Sequence, residues 1–205
     1  MRIMMKIKKN KGFTLTEILL VLVIAATIVI SAFLIYPKIE ISQKVDLEAK
    51  NIATLRNGLS TIYFGAEIPS DITMNTIAVN AKIVPSEMLV GNNKTKIKNT
   101  WGGDVYLGSY YINAGAPTLA IQYNHVPVEA CVKLVMQTVY SAEQVVVGGG
   151  KTGDTGGIVR SGANREVVFG QKREDATQVQ ELNVANVTAA CNMGKDSFIL
   201  YKFIP

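Results

Sequence analysis

From Phe13 to Tyr36 the chain is apolar at nearly every position, and Glu17 is its one charge. Such a run is hydrophobic all round rather than on one face, which predicts a helix meant for lipid or for a protein core. At ~1.5 Å per residue it reaches about 36 Å, enough to cross a hydrocarbon layer of ~30 Å. Pro37 then removes a backbone donor and predicts a bend. Beyond it, Ile41, Val45, Leu47, Ile52, Leu55, Leu59 and Ile62 recur at roughly helical spacing, with Lys44, Glu48, Lys50 and Arg56 between them. The helix is therefore expected to continue through 37–65 and to end near Tyr63 to Gly65. Its second half is amphipathic and suited to packing on a sheet.

Residues 66–205 read as an α+β head. A short helix is expected over Asp71 to Ile83, with Asp71 as cap and Ile72, Ile77, Val79 and Ile83 as its apolar side. Val105 to Ile112 and Leu119 to Tyr123 look like strands, joined by the turn Ala114-Gly115-Ala116-Pro117. Glu129 to Tyr140 predicts a helix with Cys131, Leu134, Val135 and Val139 turned inward. Gln144 to Val147, Glu166 to Phe169 and Ser197 to Phe203 are further strands. The last is expected to be central or well covered, because Phe198, Leu200 and Tyr201 are all large.

Charge changes this picture only at one end. Lys and Arg outnumber Asp and Glu by 21 to 16 in 205 residues, for a net +5. Arg2, Lys6, Lys8, Lys9 and Lys11 supply the whole excess, and the remainder is formally neutral. A folded basic surface for nucleic acid is not indicated. With one His and two Cys, far apart in the chain, no zinc-ligand set and no catalytic constellation is spelled out. No metal, no cofactor and no enzymatic activity are expected. His125 reads as a solvent-facing loop residue. Gly150-Lys151-Thr152 imitates the end of a phosphate loop, but Val145 stands where the motif needs Gly, and the glycines at 153–157 forbid the helix that must follow.

Three readings compete for the N-terminal run. A cleaved secretory signal would be shorter and would end in a small-x-small site. A plain anchor gains nothing from Glu17, since an acid costs about 2.5–3.5 kcal/mol at mid-membrane, less near an end. The third reading accounts for the cations and the acid together. Lys11-Gly12-Phe13-Thr14-Leu15-Thr16-Glu17 closely resembles the type IV prepilin signature: a basic leader ending in Gly, an apolar first mature residue, and Glu four residues after it. The resemblance implies that a prepilin peptidase cuts between Gly12 and Phe13 on the cytoplasmic side, removing residues 1–12. The new amine of Phe13 is then N-methylated. Residues 13–36 are retained as a transmembrane and filament-core helix, and Glu17 of one subunit pairs with the Phe13 amine of a neighbour. Opposite charges attract strongly in apolar surroundings, and an unpaired one is costly there.

The body resembles the type IVb pilins, the larger class to which bundlin and the toxin-coregulated pilin belong. Asn99-Thr100-Trp101-Gly102-Gly103 looks like the element that opens their central sheet, Glu129 to Leu134 like their Cys-bearing helix, and Thr188-Ala189-Ala190-Cys191 like the second Cys before a terminal strand. This implies an antiparallel sheet with the N-terminal helix laid across it and a disulfide-stapled C-terminal region. Cys131 and Cys191 are the only cysteines, and in an extracytoplasmic body a bridge is expected, worth roughly 4 kcal/mol on the chain-entropy model; two buried free thiols are the alternative. The implied function is a structural subunit that polymerises into a type IV pilus serving adhesion, bundling or conjugative mating. The implied partners are copies of itself, the prepilin peptidase and methylase, an inner-membrane platform, an assembly ATPase, an outer-membrane secretin and a surface receptor. Before assembly it is held in the inner membrane by a single pass with the head periplasmic, and afterwards it is extracellular. A minor pilin or a type II secretion pseudopilin is the alternative, and a bitopic periplasmic sensor a more distant one.

Overall fold

The computed structural model describes residues 12–66, 68, 74–91, 96–111, 117–149, 158, 164–171, 178–194 and 196–204. The chain divides into two compact units, Met1–Glu40 and Ile41–Pro205. Helix α1, Leu15–Ile62, runs through both with Pro37 inside it. In the first unit every described side chain from Phe13 to Glu40 is exposed, as expected of an apolar surface made for another environment than water.

In the second unit, α1 buries the stripe Val45, Glu48, Ile52, Leu55, Leu59 and Tyr63. These positions advance by three and four residues, which keeps them on one face. The acid in this stripe was expected among the polar positions between the apolar ones; it is fully buried instead. Gly58 lets the helix approach its neighbour closely, since a Cβ there would stand 2.6 Å from Ile83 Cβ. Gly65, at φ +69°, follows the last turn, a left-handed position that favours glycine.

Helix α2, Asn75–Asn80, is shorter than the predicted 71–83, and the expected cap Asp71 lies outside the described residues. Met74 stands at its start, and the backbone there turns to serve the sheet. Met74 N–H donates to Leu107 O (2.7 Å), while the Asn75 side chain donates to Val105 O (3.0 Å) and accepts from Leu107 N–H (2.7 Å). These bonds occupy the free backbone groups of an edge strand, which would otherwise template pairing with another chain.

Strands β1, Leu89–Val90, and β2, Lys96–Ile97, form a small separate pair absent from the sequence expectation. The main sheet contains β3, Val105–Tyr111; β4, Pro117–Val126; β5, Gln144–Gly149; β6, Asn164–Gln171; β7, Gln178–Val179; and β8, Ser197–Phe203. Its order is β3-β4-β8-β5-β6-β7, every pairing antiparallel. The expected Ile112, the turn residues 114–116, and Gly150-Lys151-Thr152 with the glycines that follow it lie outside the described residues. Gly148 and Gly149 are buried residues of β5, where Phe198 and the Met193–Gly194 backbone leave no room for a side chain.

The terminal strand is central, as its large residues imply, and all seven of its positions are buried. Register explains how. Leu107, Ile121, Tyr201, Val145 and Phe169 form one row across five strands on the face covered by α1, within the main core. On the opposite face Tyr110, Ala120, Val146, Phe198 and Leu200 form a second apolar cluster, with Ile158 and Val167 against it. The buried ammonium of Lys202 sits on that face, 4.0 Å from the centre of the Tyr110 ring, where the ring's negative face favours a cation.

Helix α3, Val128–Thr138, starts after Pro127, whose fixed φ suits the approach to a helix. It buries Ala130, Cys131, Leu134, Val135 and Thr138, and a short 3-10 turn, Val139–Ser141, replaces its expected last residues. Helix α4, Val184–Cys191, was not expected; the Asn183 side chain caps it by accepting from Ala185 N–H (2.9 Å) and Asn186 N–H (3.3 Å). Cys131 and Cys191 form a disulfide with Cα atoms 6.0 Å apart, both fully buried. It joins α3 to α4, two helices beside the sheet. Its 60-residue separation leads us to expect that paired Cys131→Ser and Cys191→Ser changes lower unfolding free energy by roughly 4 kcal/mol. Denaturant unfolding of the oxidised wild type and the double variant measures this, and a difference below about 1 kcal/mol contradicts it.

Candidate assembly site and helix clamp

The start of α1 carries the residues expected to direct processing and assembly. Gly12 has open space around its Cα, and Phe13 is exposed. Thr14 precedes the first helical residue and Glu17 is the third, the arrangement of a capping box. Thr14 N–H donates to Glu17 Oε2 at 3.4 Å, and the Thr14 hydroxyl donates to the same oxygen at 3.5 Å. Both contacts are long. The carboxylate also lies in the first turn, where the helix dipole favours an anion. Glu17 is thus held loosely at an exposed helix end, within one turn of Phe13. The basic residues of the leader lie outside the described residues. Further along the apolar run, Thr27 donates its hydroxyl to Ile24 O and Ser31 to Thr27 O, both at 2.8 Å. These bonds satisfy the hydroxyls of Thr27 and Ser31, as an apolar environment demands.

A second acid of the same helix is bound quite differently. Glu48 Oε1 accepts from Thr100 N–H at 2.6 Å, and Oε2 from the Asn51 side chain at 3.3 Å. This links α1 to the turn Asn99–Gly103. Asn99 organises that turn: its Oδ1 accepts from Trp101 N–H (3.0 Å) and Gly103 N–H (2.9 Å), and its Nδ2 donates to Asn124 O (2.8 Å). Gly103 sits so close to β4 that a Cβ would overlap Asn124 O, and Gly102 takes φ +83°. The register of β4 with β8 slips between Tyr123 and Val126, and His125 in that bulge has φ +53°. The bulge corrects the expectation for His125: it is exposed, but it belongs to a strand extended well past Tyr123.

The sequence reading missed Glu48 and Asn99 as organising residues. The signal for Glu48 was its spacing, three after Val45 and four before Ile52, which places it in the apolar stripe. For Asn99 only the two glycines of the following turn hinted at an Asx-type loop.

Tyr123 faces this clamp from β4. Its hydroxyl is fully buried near Glu48 without completing a hydrogen bond of good geometry. Burial first, and then the Glu48 charge, hold its pKa well above the ordinary 10. Burial likewise raises Tyr201, partly offset by its contact with the Thr138 hydroxyl at 2.8 Å.

The helix-on-sheet head, its stapling disulfide and the acid-bearing apolar N-terminus define a filament-subunit class. Residues 7–33 match the family model of the prokaryotic N-terminal methylation motif, and residues 42–202 that described as PilS N terminal. The chain belongs to the PilS family. Among curated proteins, the major structural subunit of bundle-forming pilus from Escherichia coli O127:H6 (strain E2348/69 / EPEC) is 24% identical over 184 residues, covering 90% of this chain and 89% of that protein. The subunit of the same name from Escherichia coli O111:H- is also 24% identical over 184 residues. Among solved structures, the type IVb pilin from Salmonella typhi superposes with a TM-score of 0.53 at 14% identity, over 78% of this chain and 99% of that one. TcpA, a type IV pilin from Vibrio cholerae El Tor, gives 0.52 at 16%, over 78% and 98%. The fold is that of a type IVb pilin.

The raised tyrosine pKa values make a test of the buried face. A phenol that keeps its proton longer in the folded than in the unfolded chain contributes stability that is complete below pH 10, the ordinary value, and is lost as pH rises above it. Stability is therefore expected to fall from pH 10 upward. Tyr123→Phe should flatten that fall while changing stability at pH 7 by less than about 1 kcal/mol, because it removes a hydroxyl with no completed bond. Thermal melts of both proteins between pH 7 and 12 would show parallel alkaline losses if this is wrong.

Proposed function

We propose that the chain is the major structural subunit of a type IV pilus, processed, stored and assembled through its first 24 mature positions. The observation that carries this is a lone, loosely capped carboxylate, Glu17, one turn from Phe13 at the start of an exposed apolar helix. The bundle-forming pilus subunits align with 90% of this chain, which supports the reading. The proposed order of events follows the physics. Cleavage between Gly12 and Phe13 removes the basic leader and creates an ammonium at Phe13, which methylation leaves charged. The segment 13–36 holds the subunit in the inner membrane with the head on the periplasmic side. α1 is the one helix among the described residues long and apolar enough to cross a membrane. The segment 37–65 continues the helix into the head.

During assembly, subunits leave lipid for one another. Glu17 exchanges its long intrachain bonds for the Phe13 ammonium of a neighbour, a charge-assisted contact that is short and strong in an apolar core. Apolar packing of helix on helix is non-directional, so the pair fixes the axial register. The platform, the ATPase and the secretin supply the machinery of extraction and export. The protein is a structural subunit and not an enzyme.

Three measurements test this. Substituting Gly12 by Glu is expected to leave an uncleaved precursor of lower gel mobility, and wild-type mobility refutes the cleavage assignment. Glu17→Ala is expected to yield processed, membrane-held subunit with filaments reduced at least about tenfold, matching the loss of more than ~1.4 kcal/mol per contact; filaments at normal yield refute the pairing role. Mass spectrometry of sheared surface protein is expected to find this chain dominant, starting at Phe13 and heavier by one methyl group, ~14 Da.

A further inference from the structure

The clamp has an outer side. Beside the Asn99–Gly103 turn, the end of β4 and the start of β8 leave an open concavity of about 500 Å³ in the head, inside the ~300–1,000 Å³ usual for small-molecule sites. Its wall contains Trp101 and His125, the only tryptophan and the only histidine of the chain. Around them stand Lys44, Lys98, Asp104 and Asp196.

The walls are held in place before any ligand arrives. Trp101 packs partly on the main core, and the N–H groups of residues 100 to 103 are all bonded within the protein: to Glu48, Asn99 Oδ1, Asn99 O and Asn99 Oδ1. Lys98 is fixed by Asp104 at 3.1 Å and by Gly102 O at 2.8 Å. His125 is held at φ +53°, a conformation that histidine seldom adopts and that the neighbouring bulge imposes. A preorganised wall of this kind spares a ligand the cost of ordering it.

The chemistry of the walls selects the occupant. An anion would meet Asp104 and Asp196, and a cation would meet Lys44 and Lys98. A purely apolar group would strip water from all of them. A neutral polyhydroxylated ring fits: it offers an apolar C–H face to an aromatic side chain and hydroxyls that both donate and accept, to two lysines, a histidine and two carboxylates. We propose that this concavity binds a saccharide, one sugar ring against Trp101 with hydroxyls shared between Asp104, Asp196 and His125. The site lies within the head, with Lys44 of α1 at its wall, and does not depend on the filament role, so its failure and the failure of that role are read in different experiments.

Trp101 is also the reporter, since no other indole contributes. The full chain is held in micelles of a polyoxyethylene detergent, which carries no sugar. Its emission is followed during titration with galactose, glucose, N-acetylglucosamine and lactose, and separately with lipopolysaccharide from the producing cells. A saturable change is expected with at least one saccharide, with a midpoint below roughly 10 mM. The free-sugar arm identifies a foreign glycan as the source and the lipopolysaccharide arm the cell's own surface. Asp104→Asn and His125→Gly are expected to weaken the response at least about tenfold; glycine accepts the positive φ and removes only the imidazole. Unchanged thermal midpoints for both variants keep the comparison valid, and a shifted midpoint is answered by the wild-type titration alone. Absence of saturation with every saccharide overturns the proposal. So does an undiminished response in both folded variants, or saturation with inorganic sulfate in place of sugars.

Discussion

The whole design rests on one helix having to suit two environments. From Leu15 to Tyr36 it is apolar on every side, and from Val45 to Tyr63 it is apolar on one stripe only. A sheet could not meet both demands, because its unpaired edges would be left in lipid. A helix satisfies its backbone internally at every depth, so one continuous element can pass from a membrane to a protein core without exposing an amide. The head then needs only to supply a surface for the second half. It does so with inward-facing residues from five strands in a single register row, and β8, buried at all seven positions, lies at the middle of that row.

How much of this was legible follows from which signals are local. The apolar run, the stripe beyond Pro37, the inward side of α3 and the central place of the last strand are all periodicities within one segment. They survive folding because each segment's own pattern decides which face it buries. What was missed depends on partners far away in sequence. Helix α4 hides because Val184, Ala185 and Ala189 are exposed and Val187, Ala190 and Cys191 buried, so its hydrophobic pattern shows no contrast; only Asn183 marks its start. Strand β4 runs on to Val126 because a bulge absorbs Asn124 and His125, and no local rule would extend a strand through those residues. Glu48 was assigned to solvent on its charge, when its spacing placed it in the core. One of its two oxygens is satisfied by a turn more than fifty residues away, which periodicity along one segment does not reveal.

The clamp also explains why the turn at Asn99–Gly103 is built from these residue types. A buried carboxylate with no ion-pair partner among the described residues needs donors, and backbone N–H groups are the donors a turn can supply. Thr100 N–H reaches Glu48 only if the turn is tight. A tight turn here needs Asn99 to tie its amides together, Gly102 to take a positive φ and Gly103 to clear Asn124 O. Three residues that look like loop composition in the sequence are therefore the geometric cost of burying one acid on α1.

The two acids of α1 end in opposite states, and the bond lengths say why each suits its place. Glu48 accepts at 2.6 Å from an amide of the same chain and is fully buried. Its partner is part of a tied turn, so exchanging it would mean unfolding that corner of the head. Glu17 has only contacts of 3.4 and 3.5 Å, from a residue three positions away at an exposed helix end. Contacts that long retain little of the strength of a charged hydrogen bond. A carboxylate kept this way is tolerable in water or at a membrane surface, and poorly satisfied once the helix is packed in an apolar bundle. The same chemical group is thus locked where the head requires permanence and left under-satisfied where polymerisation, as proposed, offers it an ammonium. The gain on pairing belongs to the polymer, because the isolated subunit has no comparable partner among the described contacts of Glu17.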